Sequence, residues 1–324
     1  MDGKLKVFIS AVFSTLLVAC STKLPSDYTL AYVGKSSEDN MDLKRPIGIS
    51  YRVVDETGKP VKGAAILTLS NWRKAKQKGS TNLKGRFFYK DIVGISLGCR
   101  VQKRGHYDSL GDVWTHVESP ERLSSPFVVT LKRIIDPVPM VHRSVTLTFP
   151  RLNEAIGYDL EVADWVEPDG KGKVSDITVT ARKDFISWDN YDFRVMIEFP
   201  GELNGIQSFE IPAGKFAMKS ALIPPQVAPL TGYSRSFEAW IGRPQGGQFT
   251  TSADEKQNHI FRVRAKCDEA GEIVSANVGW IEGPINTTPT EKDLGKCYFK
   301  YYWNPDPTSR SLEPKETADR QGIE

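Results

Sequence analysis

"IGISYRVVDETGKPVKGAAILTLS", residues 47–70, sets the architecture. Ile47, Ile49, Tyr51 and Val53 recur at every second position, with Gly48, Ser50 and Arg52 between them. A period of two is the mark of a strand with one face in a core and one in solvent. Gly58 and Pro60 then punctuate the chain before "AAILTLS" resumes the β-branched pattern, so the stretch reads as strand, turn, strand.

The same pattern continues downstream in "GRFFYKD" (85–91), "GCRVQKRG" (98–105) and "FVVTLKR" (127–133), and no stretch carries a helical period. The expected fold class is therefore all-β: two tandem antiparallel β-sandwich domains behind a signal peptide and a tether. The first sandwich spans 46–134. "IDPVPM", residues 135–140, is a linker signal because of its two prolines. Residues 141–305 form a second all-β domain of about eight to ten strands. Within it Arg262, Arg264 and Lys266 alternate with Phe261, Val263 and Ala265, which predicts one row in water and one in a core. Residues 306–324 read as a polar, mobile C-terminal tail.

Upstream, Lys4 and Lys6 precede an apolar run from Val7 to Ala19, too short to span a bilayer. Leu17, Val18, Ala19 and Cys20 resemble a bacterial lipobox. The resemblance implies cleavage before Cys20, acylation of its thiol and new amino group, and a membrane as partner through that anchor. Residues 1–19 are then a lipoprotein signal peptide, and 20–45 the lipidated N-terminus and flexible tether, rich in Ser, Asp and Lys. Ser21, where an aspartate would suggest inner-membrane retention, favours the outer membrane, facing the periplasm or the outside. The signal carries Lys4, Lys6 and Asp2, so its removal lowers the formal charge of +3 by one. That balance excludes a nucleic-acid binder.

Val53, Val54, Asp55, Gly58, Pro60, Val61, Gly63 and Ala64 resemble the opening of the carboxypeptidase regulatory-like module. Thr81, Asn82, Gly85 and Phe87 match its next step, and Gly105-His106-Tyr107 approximates a Gly-Tyr near its end. The resemblance, over 46–133, implies a transthyretin-like sandwich of about seven strands with no catalytic role of its own. The second half looks like a family of uncharacterised secreted bacterial proteins, through "ADWVEPDGKGKVSD" (163–176), "DEAGEIVSANVGWIEG" (268–283) and "YYWNPDPTSRSLE" (301–313). That resemblance implies no activity.

Beyond Cys20 the cysteines are Cys99, Cys267 and Cys297. Cys267 and Cys297 are expected to pair in an exported chain, a bridge worth about 3 kcal/mol by loop closure, leaving Cys99 as a buried thiol. Without a CxxC pair or a Cys/His cluster, zinc is not expected.

The glycine-rich loop "WVEPDGKGKVSD" (165–176) has neither the spacing nor the hydroxyl of a phosphate loop. Glu167, Asp169 and Asp176 offer oxygens for calcium, but Lys171 and Lys173 sit among them. It reads as a turn, with Trp165, Asp169 and Lys171 as a candidate ligand contact. "GISLG" (94–98) matches GxSxG, yet no helix follows Ser96, as a nucleophile elbow requires. His106, His116, His142 and His259 make no metal spacing. "DFISWDNYDF" (184–193) reads first as a polar turn anchored by Trp188 and Tyr191, with Asp189, Asn190 and Asp192 as candidate calcium ligands in the alternative. Calcium is the one cofactor the sequence raises; none is required. Trp303, beside Asn304 and Pro305, joins Trp165 as a candidate sugar-stacking residue, although most aromatics in sandwiches are core. The reading is a non-catalytic envelope lipoprotein, a binding or structural module whose partner is a glycan or another envelope protein. The alternative is an enzyme whose site is assembled from distant strands.

Overall fold

The computed structural model describes residues 45–70, 76–93, 97–113, 126–211, 218–290 and 294–320. Cys20, Ser96 and His116 lie outside them.

The first sandwich is built from β1 (Arg45–Asp55), β2 (Ala65–Ser70), β3 (Lys76–Ser80), β4 (Arg86–Val93), β5 (Leu97–Gln102), β6 (Ser109–Val113) and β7 (Phe127–Leu131). The alternation of residues 47–53 is realised in β1, where Ile49, Tyr51 and Val53 enter a core with Ile66, Val101, Val129 and Leu131. β1 lies between β4, antiparallel, and β7, parallel. The facing sheet runs β6-β5-β2-β3. Gly85 closes the turn before β4 with φ 67°, and a Cβ there would meet the Val53 carbonyl oxygen at 2.3 Å, so glycine is required.

The second sandwich contains β8 (Val141–Thr148), β9 (Ala155–Asp159), β10 (Asp164–Trp165), β11 (Ile177–Ser187), β12 (Asn190–Glu198), β13 (Gly205–Glu210), β15 (Ser236–Arg243), β16 (Thr250–Thr251), β17 (Gln257–Cys267), β18 (Ile273–Thr288) and β19 (Lys296–Trp303). One sheet has the order β10-β9-β11-β12-β15-β16 and the other β13-β17-β18-β19-β8. Phe149, Val179, Phe193, Val195, Phe261, Val263, Phe299 and Tyr301 fill the space between them. β10 and β16, two residues each, are too short to show an alternation in sequence.

The chain between β13 and β15 does not stay within this sandwich. Its β14 (Lys219–Ser220) pairs with β6 and extends the first sandwich's sheet by one strand. The C-terminal residues also depart from the expected mobile tail. Ser311, Leu312 and Glu313 are buried, Val138 and Lys315 bond across this segment, and a short helix α1 (Lys315–Asp319) follows. Leu312 and Ala228 cover Ile260, Val278 and Trp280 on the outer side of β17 and β18. This covering layer explains why Arg262 is not in water as its alternation predicts. Its guanidinium donates to the carbonyls of Leu203 at 2.6 Å and Leu230 at 2.8 Å and lies over the Tyr233 ring.

The expected Cys267–Cys297 disulfide is absent: both thiols are free. Cys267 pairs with Ile273 at one end of β18 and Cys297 with Thr287 near the other, with β18 lying between their strands. At the usual rise of a strand they are roughly 40 Å apart, far beyond the reach of a bridge.

Candidate functional site

The glycine-rich loop is held by carboxylates that precede it. One Asp159 oxygen accepts the N–H groups of Lys173 at 3.0 Å and Val174 at 3.1 Å, and the other those of Glu161 and Val162. Asp164 accepts from the N–H groups of Trp165 at 2.9 Å and Lys171 at 3.0 Å. Burial alone would raise the Asp159 carboxyl, but the N–H groups of Lys173, Val174 and Val162, with Arg264, outweigh it and hold the group below its ordinary range.

Arg264 pins this arrangement from the facing sheet. Its Nε and Nη2 donate to the two oxygens of the fully buried Asp176 at 2.7 and 2.9 Å, and Nη2 also reaches Asp159 at 3.1 Å. Nη1 donates to Glu161, and the guanidinium lies 5.1 Å from the centre of the Trp303 ring. Burial opposes its charge, but the bonds to Asp176 and Glu161 prevail and raise its pKa. The residue reaches these partners from an irregularity in β17 where its φ is 55°. A Cβ on Gly170 would sit 2.4 Å from the Trp165 carbonyl oxygen, and one on Gly172 would sit 2.7 Å from the Asp159 Cβ. The two glycines therefore allow close backbone approach, and the loop is a turn.

Of the candidate ligand contacts, Trp165 is 7% exposed, edge-on to Tyr158, with its indole N–H donating to the Thr148 carbonyl at 3.2 Å. Trp303 is buried between the sheets against Phe261. Neither ring can stack on a sugar, which corrects that expectation: both indoles complete the core where the loop and β19 close over it. Asp169 accepts from Arg151 at 2.7 Å, and Lys171 is exposed with only its backbone N–H engaged by the loop.

Two of the candidate calcium ligands are engaged by arginines. Asp189 holds Arg243 at 3.0 Å and Asp192 holds Arg194 at 2.7 Å, so cations already neutralise these carboxylates. Asn190 pairs with Ser187 at the hairpin end. Among the described residues no group of His, Cys, Asp or Glu is arranged to hold a metal. His259 is buried, with Nδ1 3.0 Å from the Ser208 hydroxyl.

What the same stretch does build is an exposed aromatic tip. Ala181 and Phe193 are in the core, but β11 and β12 continue past them and turn at Trp188-Asp189. Phe185 stacks on its cross-strand partner Tyr191 at 6.1 Å, and Trp188 stands edge-on to both, at 5.2 and 6.3 Å. The Lys183 ammonium lies 5.2 Å from the Phe185 ring centre. Trp188 is 55% exposed and Ile186 78% exposed. Trp188 is thus the tryptophan of this half that the fold leaves open, with Asp189 and Arg243 beside it. The sequence signal for Phe185 is its place in the same short run as Trp188 and Tyr191. Nothing in the sequence marked Arg264 as the pin of the loop.

Comparison against protein-family models and against curated proteins finds no match. Among solved structures, a streptococcal ancillary pilin aligns at 11% identity over 64% of this chain and 59% of its own, with a TM-score of 0.21. The chain thus spans about three-fifths of that pilin's length. A shaft pilin of Lactobacillus rhamnosus GG aligns at 8% identity over 72% of this chain and 93% of its own, with a TM-score of 0.22. Superpositions this loose carry no functional argument.

Proposed function

We propose that this protein is a non-catalytic, lipid-anchored module of the bacterial envelope that presents the β11–β12 tip to a glycan. Trp188, exposed and braced by the half-buried rings of Phe185 and Tyr191, supports the reading. An apolar pyranose face stacks on a flat ring, and flanking charged groups such as Asp189 and Arg243 bond its hydroxyls. The Phe185–Tyr191 cross-strand pair steadies the hairpin end, whereas Trp188 adds apolar surface that the fold leaves in water. Lipidation at Cys20 rests on the lipobox-like residues 17–20, and an outer-membrane location rests on Ser21. The carboxypeptidase regulatory-like identity of residues 46–134 rests on the motif residues around Gly58 and Gly85.

The test is binding of residues 21–324 to a panel of polysaccharides and peptidoglycan. Saturable binding lost in Trp188→Ala and kept in Lys171→Ala supports the assignment. Binding unaffected by Trp188→Ala, or no binding to any member, overturns it. Cys20→Ala should release the protein from membranes; membrane fractionation unchanged by it would refute the anchor.

A further inference from the structure

The outer face of the β4-β1-β7 sheet carries a charge pattern that the fold does not need. Arg52 on β1 stands directly opposite Arg86 on β4, and both are exposed. Like charges in a cross-strand pair are destabilising. Elsewhere this chain relieves such a pair: Arg182 opposes Arg194, and Arg194 is bonded to Asp192 and Glu238. Among the described residues neither Arg52 nor Arg86 has a carboxylate partner. Four residues along β4 from Arg86, Lys90 adds a third exposed cation, opposite Gly48.

Two exposed apolar side chains, Phe88 and Val128, stand among these cations. Phe88 is 54% exposed, and its ring lies across Gly48, where a Cβ would sit 2.8 Å from the ring. The Lys90 ammonium lies 5.5 Å from the same ring centre. Val128, on the far strand opposite Arg52, is 59% exposed. The remaining outward residues are Ser50 and Thr130, small and neutral, and Val54, buried opposite Thr130, so no described acidic side chain stands on the face.

We infer that this sheet face docks on an anionic lipid surface. Arg52, Arg86 and Lys90 would contact headgroup phosphates, and Phe88 and Val128 would enter the interfacial layer between them. Juxtamembrane cations each add to attraction toward anionic lipid, and an exposed aromatic ring settles at the headgroup level. β1 begins 25 residues after Cys20, so the proposed anchor would hold this face near the bilayer and raise its local concentration. The inference uses that anchor only for proximity and is tested without it.

Residues 21–324 retain every member of the four described cores, so this soluble form is the one to use. Its binding is measured by co-sedimentation with vesicles of phosphatidylcholine alone or mixed with phosphatidylglycerol. Expected are binding to the mixed vesicles at least tenfold tighter than to the neutral ones, and its loss at high salt. Arg52→Gln, Arg86→Gln and Lys90→Gln combined should reduce binding at least tenfold with an unchanged unfolding midpoint, and Phe88→Ala several-fold. Trp188→Ala should leave it unchanged, which separates this face from the glycan tip. Equal affinity for both vesicle types, indifference to the triple substitution, or no binding to either overturns the inference. Binding to a soluble anionic polysaccharide as tight as to the mixed vesicles also overturns it.

Discussion

The Tyr107 hydroxyl, at the edge of the first sandwich, donates to the buried Glu313 carboxylate at 2.9 Å, across 206 residues of sequence. The same carboxylate accepts the N–H groups of Ile135 at 3.1 Å and Asp136 at 3.2 Å, in the segment that joins the sandwiches. Beside it the Lys132 ammonium donates to the carbonyls of Leu222, Ile223 and Pro224, and Tyr107, Leu222 and Ala318 pack together. The connection is therefore a structured joint, with the C-terminal residues strapped across it. A rigid joint fixes the direction in which the second sandwich presents its hairpin tip.

Glu313→Ala should leave the buried Tyr107 hydroxyl and two part-buried backbone N–H groups without their acceptor, at a loss of about 2–3 kcal/mol. Glu313→Gln, which keeps an acceptor of the same shape, should lose about 1 kcal/mol. Urea unfolding followed by two probes, one in each sandwich, checks this. A single transition in the parent should separate into two in Glu313→Ala, and coincident transitions in that variant would show that the joint does not couple the sandwiches.

Arg264→Ala should strand the carboxylates of Asp159 and Asp176 in the interior, a loss of about 3–5 kcal/mol. Arg264→Lys should recover only part of it, because an ammonium cannot reproduce the fork that reaches both oxygens of Asp176. Trp303 lies over the Arg264 guanidinium, so tryptophan fluorescence during unfolding reports on this cluster. A loss below about 1 kcal/mol would place the pin elsewhere.

The strands that were legible in the sequence are those with one face wet. β1, β5 and β7 alternate cleanly, and their alternation follows directly from burial on one side. The alternation of β17 predicts the wrong environment for Arg262, because residues 228 and 312 cover its second face and nothing local announces a covering layer supplied from so far away. The same holds for the candidate site. Trp188 and Trp165 each stand beside turn residues, but only the fold decides which one a neighbouring strand closes over. The polar C-terminal segment looked solvent-bound because its buried members, Ser311 and Glu313, are satisfied by partners the sequence does not place nearby.

The cysteines give a direct test of strand placement. Cys267 is exposed, whereas Cys99 and Cys297 are buried, and burial pushes the Cys297 thiol up to about 12. A soluble form beginning at residue 21 should therefore show one thiol reacting promptly with a disulfide reagent and two more only on unfolding. Cys267→Ser should abolish the prompt reaction. An unreduced protein in which a single thiol reacts, and only on unfolding, would restore the disulfide and leave Cys99 as that thiol.

Acid should weaken the second sandwich through His259. Its ring is buried against Phe237, with Nδ1 at the Ser208 hydroxyl and Nε2 without a partner among the described residues, and burial lowers its pKa from 6.5 to about 4. Between those values the unfolded chain takes up the proton and the native one does not. Stability from this group is thus complete above pH 6.5, falls as the pH drops through the window, and levels off below about 4. The full change is about 3 kcal/mol. His259→Gln removes the titrating group while keeping a polar side chain beside Ser208, so its unfolding free energy should lose this slope relative to the parent. Parallel pH profiles for the two proteins between pH 6.5 and 4 would mean that the native state protonates His259 as readily as the unfolded chain, and that the ring is not sealed between the sheets.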